Sequence, residues 1–271
     1  MLATVLSLLA AQTAASPPDA GAVAAGALRV DLSAPMTNAQ RRELVKTTTR
    51  AEQERLLVAT PPELLIATSR RCIEELGTYR YRLRKQERVK GELLEAQDID
   101  ATVRETPFAI RLDFVGGPAK GRRVLYNSAL RKGEFRVKEA GFLGIAGAVW
   151  LDVDSGMAKG DSNHTVVEAG LGNLVRRLDR DLARAKAQGG VSIKHEGWDD
   201  QGRYCTMYTM PNQGQGFSAP LTRICTDLAE GIPGRVESYD LKNTLLEKYE
   251  STSVQPVKLE AKYFTVDGAG L

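Results

Sequence analysis

The chain reads as an α+β protein in which one large antiparallel sheet carries a few helices. Two observations lead there. Across residues 78–114 apolar and charged side chains alternate at period two, the mark of a half-buried antiparallel strand. Several more short strand-like runs, separated by Gly, Pro, Asn and Asp, follow around only two or three helical patterns. With 271 residues, 42% hydrophobic and 26% charged, the chain is long enough for one sizeable core.

Residues 2–11 are apolar but too short to span a bilayer. The small residues Ala11, Thr13, Ala14 and Ala15 follow, ahead of Ser16-Pro17-Pro18. This predicts an export signal over 1–15, although no Lys or Arg precedes the apolar run; a disordered Ala-rich tail is the plainer alternative. Residues 16–36, rich in Ala, Gly and Pro, read as a linker. Thr37 or Asn38 caps a highly charged helix with a thin apolar face, a peripheral element over 37–60 that Pro61-Pro62 ends. The main domain is expected over 61–266. It opens with a helix whose stripe is Leu64, Leu65, Ala67, Cys72, Ile73 and Leu76, stopped by Gly77.

Strands are expected at 80–89, 93–104 and 108–114, with a turn at Lys90-Gly91-Glu92 and Pro107 at a strand edge or start. Tyr79, Tyr81, Leu83 and Val89 fall on one face, and Arg80, Arg82, Arg84 and Arg88 mostly on the other. The arginine row could engage phosphate, but Glu92, Glu95, Asp98 and Asp100 on the next strand are placed to balance it, the preferred reading. Residues 123–127 and 134–138 form a further pair, and 150–153 a short strand ending at Asp154-Ser155-Gly156. That turn lacks the third acid and the later Glu of a calcium loop. Thr165 and Glu168 make a capping box for a helix reaching about residue 188, where Gly189-Gly190 stops it. Strands then return at 191–198, 203–210, 221–228, 235–239, 245–251 and 257–264.

The chemistry is spare. A net charge of +3, from 37 basic and 34 acidic residues, gives no case for nucleic acid. His164 and His195 stand without a marked nucleophile, and Glu196, Asp199 and Asp200 are acids of the kind common in turns. No CxxC pair exists, so neither a zinc site nor any cofactor is expected. Cys205 and Cys225 are equidistant from Gln215 in the turn-rich run 211–216; a symmetric hairpin would oppose them within disulfide reach, whereas another register leaves two buried thiols. The apolar, glycine-rich run 141–150 either lines a cavity or is an ordinary buried loop and strand.

Certain motifs resemble a known family: a Tyr-led strand from Tyr79, Lys85-Gln86-Glu87-Arg88, Gly91, Arg104 and Pro107-Phe108. To these are added residues 121–126, the helix entry His164-Thr165-Val166-Val167-Glu168, and residues 231–240. Over about 63–264 the chain is similar to the bacterial domain-of-unknown-function family fifteen-seventy-one, with Thr165 where that family usually has Pro. The resemblance implies a LolA/LolB-like fold, an open half-barrel whose curved antiparallel sheet is covered by helices. It also implies a non-enzymatic, periplasmic carrier of lipid or lipoprotein acyl chains, or alternatively an envelope protein-interaction or stress-sensor domain. The lining would come from Tyr79, Tyr81, Leu83, Leu112, Phe114, Phe142, Leu143 and Trp150.

Overall fold

Twelve strands hydrogen-bond into one sheet in the computed structural model, which describes residues 23–25, 28–30, 34–157 and 160–271. The export signal expected over 1–15 lies outside the described residues. A hairpin of β1 (Val23–Ala25) and β2 (Leu28–Val30) stands inside the expected linker. Three helices follow: α1 (Asn38–Thr47), α2 (Arg50–Ala59) and α3 (Pro62–Leu76). The first meander is β3 (Thr78–Val89), β4 (Glu92–Leu93), β5 (Gln97–Arg104), β6 (Ala109–Gly116), β7 (Arg123–Asn127), β8 (Glu134–Lys138) and β9 (Val149–Asp152). After α4 (Leu171–Ala187) comes the second, β10 (Ser192–Trp198), β11 (Tyr204–Thr209), β12 (Leu221–Asp227), β13 (Ile232–Tyr239) and β14 (Leu245–Pro256); α5 (Val266–Ala269) closes the chain.

The sheet order is β10-β11-β12-β13-β14-β3-β5-β6-β7-β8-β9, with β4 pairing only β3. The meanders join where β14 pairs β3, antiparallel like every other pair in this sheet. The sheet stays open, with β9 and β10 as its edges.

One face of the sheet carries the core. Tyr79 and Tyr81, Ile99 and Val103, Ile110 and Leu112, and Phe135 and Val137 alternate inward along their strands. Helix α4 lies on them with Leu171, Val175, Leu178, Leu182 and Ala185, a stripe at helical spacing. Helix α3 adds Ile66, Cys72 and Ile73; Cys72 is a buried free thiol. Fully burying each large apolar side chain contributes about 1.5–3 kcal/mol.

The outer face is charged. Arg82 pairs with Asp100 at 2.6 Å and Arg84 with Asp98 at 3.5 Å, so acids of the next strand do balance the arginine row. Cys205 and Cys225 sit directly opposite each other on β11 and β12 and form a disulfide.

Three expectations change. The single helix over 37–60 is two helices, because Thr37 and Thr49 each build a capping box and Thr48 is extended between them. Its attachment rests on Arg41, 1% exposed, which donates to the carbonyls of Leu228 and Ala229 and to Asn38 Oδ1. The helix expected from Thr165 is a single 3-10 turn, Val166–Glu168, followed by a break. Gly170, at φ +92°, takes a conformation few other residues tolerate, and α4 begins only at Leu171. The strand expected over 257–264 is absent. β14 runs on to Pro256, the Val257 N–H still donates to the Thr78 carbonyl at 2.9 Å, and both edges of β14 are already occupied by β13 and β3. The remaining chain folds over the outer face instead, where Phe264 packs on Ala109, Leu125 and Ala269 and Tyr263 lies under Arg80 and Arg111.

Two stability measurements test this packing. Replacing both Cys205 and Cys225 with Ala should lower unfolding free energy by about 3 kcal/mol in denaturant titration, the value for a loop of this size. Phe264→Ala should cost about 3–5 kcal/mol; a change below 1 kcal/mol would mean that the C-terminal segment is not docked on the sheet.

Candidate functional site

The β3·β14 ladder sets the geometry of the inner face at the joint. Glu87 faces Glu247, Lys85 faces Tyr249 and Leu83 faces Ser251. Alternation carries all six to the side that bears Tyr81. Two carboxylates directly opposite each other on a sheet repel, and here both are buried, Glu87 at 2% and Glu247 at 9% exposure. Hydrogen-bond donors from the chain before α4 compensate.

Four consecutive residues each bond a charged side chain on or beside the sheet, and Asn163 and His164 reach the two carboxylates. Asp161 accepts from Arg122, and Ser162 Oγ accepts from Lys85 Nζ at 2.9 Å. The Asn163 backbone N–H donates to Glu87 Oε2 at 2.8 Å, while its side-chain amide donates to Glu247 Oε1 at 3.2 Å. His164 Nε2 lies 2.9 Å from that same Glu247 oxygen. The Tyr249 hydroxyl completes the Glu87 shell, with Lys85 Nζ 3.5 Å away. Arg177 of α4 brings its guanidinium to the His164 ring and over the face of Tyr249. Arg177 Nη1 lies 2.7 Å from Nε2 and 3.2 Å from Nδ1; with the Nε2 proton given to Glu247, Nδ1 is the ring atom left to accept.

The electrostatics follow from this packing. Burial, then the neighbouring Glu87 and Glu247, push the Tyr249 hydroxyl far above its ordinary value. Burial works to raise the Glu247 carboxyl, but the His164 hydrogen bond, the Arg177 charge and the Asn163 amide outweigh it and hold the group below 4.5. Glu168 is lowered in the same way: burial opposes, and the Thr165 N–H and hydroxyl prevail.

Beneath this polar segment lies a hollow of about 120 Å³ between β3, β14, the 162–171 segment and α4. Tyr81, Leu83, Val166, Leu171 and Leu174 form its apolar walls, and Lys85, His164, Arg177 and Tyr249 its polar ones.

Of the residues expected to line a ligand site, Tyr81 and Leu83 are in the wall of this hollow. Tyr79 is wholly buried and positions α4: its hydroxyl accepts from the Leu171 N–H at 3.2 Å and donates to Glu105 at 2.8 Å. Leu112 and Phe114 are packed into the core. Trp150 pairs with Arg136 on β8 and lies on the outer face beneath Arg131 and Arg136. The side chains of Phe142 and Leu143 lie outside the described residues, and Ile145 in the same 3-10 segment is 78% exposed.

The remaining candidates are tied up elsewhere. His195 is exposed beside Tyr204, Glu196 pairs with Arg223 and Asp199 with Arg203. Asp199 also lies within 4.8 Å of both Cys205 and Cys225 sulfurs, but those sulfurs are bonded to each other and offer no thiolate to a metal.

Lys85, Glu87, Glu247, Tyr249 and Arg177 were not singled out as site residues from the sequence. Lys85 and Glu87 share the parity of Tyr81 and Leu83, so the alternation contained the signal. Nothing in the sequence places His164 or Arg177 against β14.

A carboxyl held below its ordinary value stabilises the fold above that value, and the contribution disappears as pH falls through the lowered one. Glu247→Gln should therefore be less stable than the wild type at pH 7, with the gap narrowing once pH drops well below 4.5. Denaturant titrations at pH 7 and pH 3 measure this, and a gap of equal size at both would contradict the ionised assignment.

Comparisons with known proteins add the following. No curated protein matches the sequence. Among solved structures, the Mycobacterium tuberculosis lipoprotein LppX matches at a TM-score of 0.40 and 14% identity, over 74% of this chain and 100% of that one. A LolA superfamily protein from Nitrosomonas europaea gives 0.31 and 10%, over 75% and 97%. The Pseudomonas aeruginosa MucA/MucB complex gives 0.39 and 13%, over 73% of this chain and 61% of that one. Similarities this loose say nothing of a ligand. The sequence model of a family described as Protein of unknown function (DUF1571) matches residues 76–268, and with most of its length inside that match the chain belongs to this family.

Proposed function

We propose that the protein is a non-enzymatic binder or carrier of an apolar ligand, a lipid or the acyl chain of a lipoprotein, acting in the periplasm. The observation that carries this reading is the apolar-walled hollow between the inner sheet face and the 162–171 segment. The Cys205–Cys225 disulfide supports an oxidising compartment. No described helix is long and apolar enough to cross a membrane.

At about 120 Å³ the hollow is smaller than ordinary ligand sites of roughly 300–1,000 Å³. A long chain enters only if the covering segment moves away from the sheet. The segment is held by the polar bonds of residues 161–164, worth roughly 1–3 kcal/mol each and therefore roughly 4–12 kcal/mol together, and by Val166, Val167 and Ala169, which pack on the core. Burying about sixteen methylenes contributes about 13 kcal/mol, and burying six only about 5. On these magnitudes a long acyl chain is better able than a short one to displace the segment.

Fluorescence titration with acyl probes of graded length tests this. Binding should appear at about C14–C18 and be absent at C6, and mass spectrometry of the purified protein should find co-purified lipid. Ala169→Trp, which fills the hollow from its wall, should abolish probe binding while the thermal midpoint falls little. Absence of both bound lipid and probe binding at every length would refute the carrier reading.

A further inference from the structure

The rim of the hollow is not electrically uniform. Two carboxylates, Glu87 and Glu168, and two cations, Lys85 and Arg177, line it together with His164 and Tyr249, and Glu247 is bonded to the His164 ring. Each carboxylate already has donors. Glu87 accepts from Tyr249 and from the Asn163 N–H, with Lys85 close by. Glu247 is bonded by His164 and Asn163, and Glu168 by the Thr165 N–H and hydroxyl. Lys85 is matched by Glu87. Arg177 differs. Among the described residues no carboxylate comes within 4.0 Å of it, and its contacts are one terminal nitrogen to the His164 ring and its guanidinium over Tyr249. Its Nε and second terminal nitrogen make no hydrogen bond among the described residues.

We infer that the hollow selects an amphiphile whose head is an oxyanion, carboxylate or phosphate, seated on the Arg177 guanidinium with its acyl chain against Tyr81, Leu83, Leu171 and Leu174. This rests on the reading of the hollow as an apolar-ligand site and adds the charge of the ligand's head. Two physical reasons favour it. A planar guanidinium with unused N–H groups matches the paired oxygens of a carboxylate or phosphate. A ligand lying across the rim also strips water from Arg177; a neutral head leaves its unused N–H groups desolvated with no charged acceptor in contact, whereas an oxyanion accepts from them. Glu247 and Glu168 act on Arg177 through their charge, but their oxygens are bound to other donors and neither comes within 4.0 Å of its guanidinium.

The test uses three pyrene-labelled C16 probes that differ only in the head: a carboxylic acid, a primary alcohol and a monophosphate ester. Affinities are measured by fluorescence titration of the full chain at pH 7.5. The acid, the phosphate or both should bind at least about tenfold more tightly than the alcohol, the scale of a hydrogen bond to a charged group. Preference for the acid over the phosphate points to a free fatty acid, and the reverse to a phospholipid head. Arg177→Gln should bring the anionic probes down to the alcohol's affinity and leave the alcohol unchanged, while Arg177→Lys retains most of the discrimination. The wild-type comparison of acid with alcohol stands even if the Gln variant does not fold. Equal binding of all three heads to the wild type, or an equal loss for all three in Arg177→Gln, overturns the inference and leaves the carrier reading intact. Failure of all three to bind overturns both.

Discussion

The pairing of β14 with β3 is the joint on which the rest of the molecule depends. Each meander is held by local hairpin contacts, but β14 meets β3 across more than 150 residues of chain. Without that ladder there are two smaller sheets, and a small sheet with one apolar face does not bury it well. With it, a single twelve-stranded sheet offers a continuous inner face on which α3 and α4 close the core. The same register brings Glu87 opposite Glu247, an arrangement that repels unless donors intervene. The structure of the 161–170 segment follows from that need. Asn163 bridges the two carboxylates, His164 adds a second bond to Glu247, and α4 can start only after Gly170 has turned the chain away.

Above the hollow the covering segment is fixed by polar contacts, and below it the walls are apolar. These two kinds of interaction respond differently to a ligand. Polar bonds exchange for bonds to water when the segment lifts, at modest net cost per bond. An acyl chain gains in proportion to its length. The outer face has the opposite organisation. Its arginines are matched by Asp98 and Asp100 or stacked on Tyr263, and the C-terminal segment covers β6 and β7. The inner face near the joint differs: there, among the described residues, no carboxylate comes within 4.0 Å of the Arg177 guanidinium.

Much of the fold was legible because strand alternation is a local property. The limits of β7 and β8, the turn at Lys90-Gly91 and the opposition of Cys205 to Cys225 all depend on side chains a few positions apart, or on the symmetry of one hairpin. The site was less legible. On β3 the apolar members of the inner row attracted attention, while Lys85 and Glu87 in the same row were passed over, since a buried charge carries no hydrophobic signal. Trp150 ends the apolar, glycine-rich run expected to line a cavity, yet a tryptophan under two arginines satisfies its apolar surface on the outer face. The strand expected over 257–264 failed because a pattern records the ability to pair and not the availability of an edge.

The sequence by itself determined the fold class and the run of hairpins and carried the motifs of the family, because each depends on contacts close along the chain or on motifs. Only the tertiary structure decided where a ligand could sit. The joining of two distant strands and the seating of α4 bring Lys85, Glu87, His164, Arg177 and Tyr249 around one hollow. Such an assembly depends on long-range register, in which a one-residue slip would turn every side chain of a strand to the opposite face.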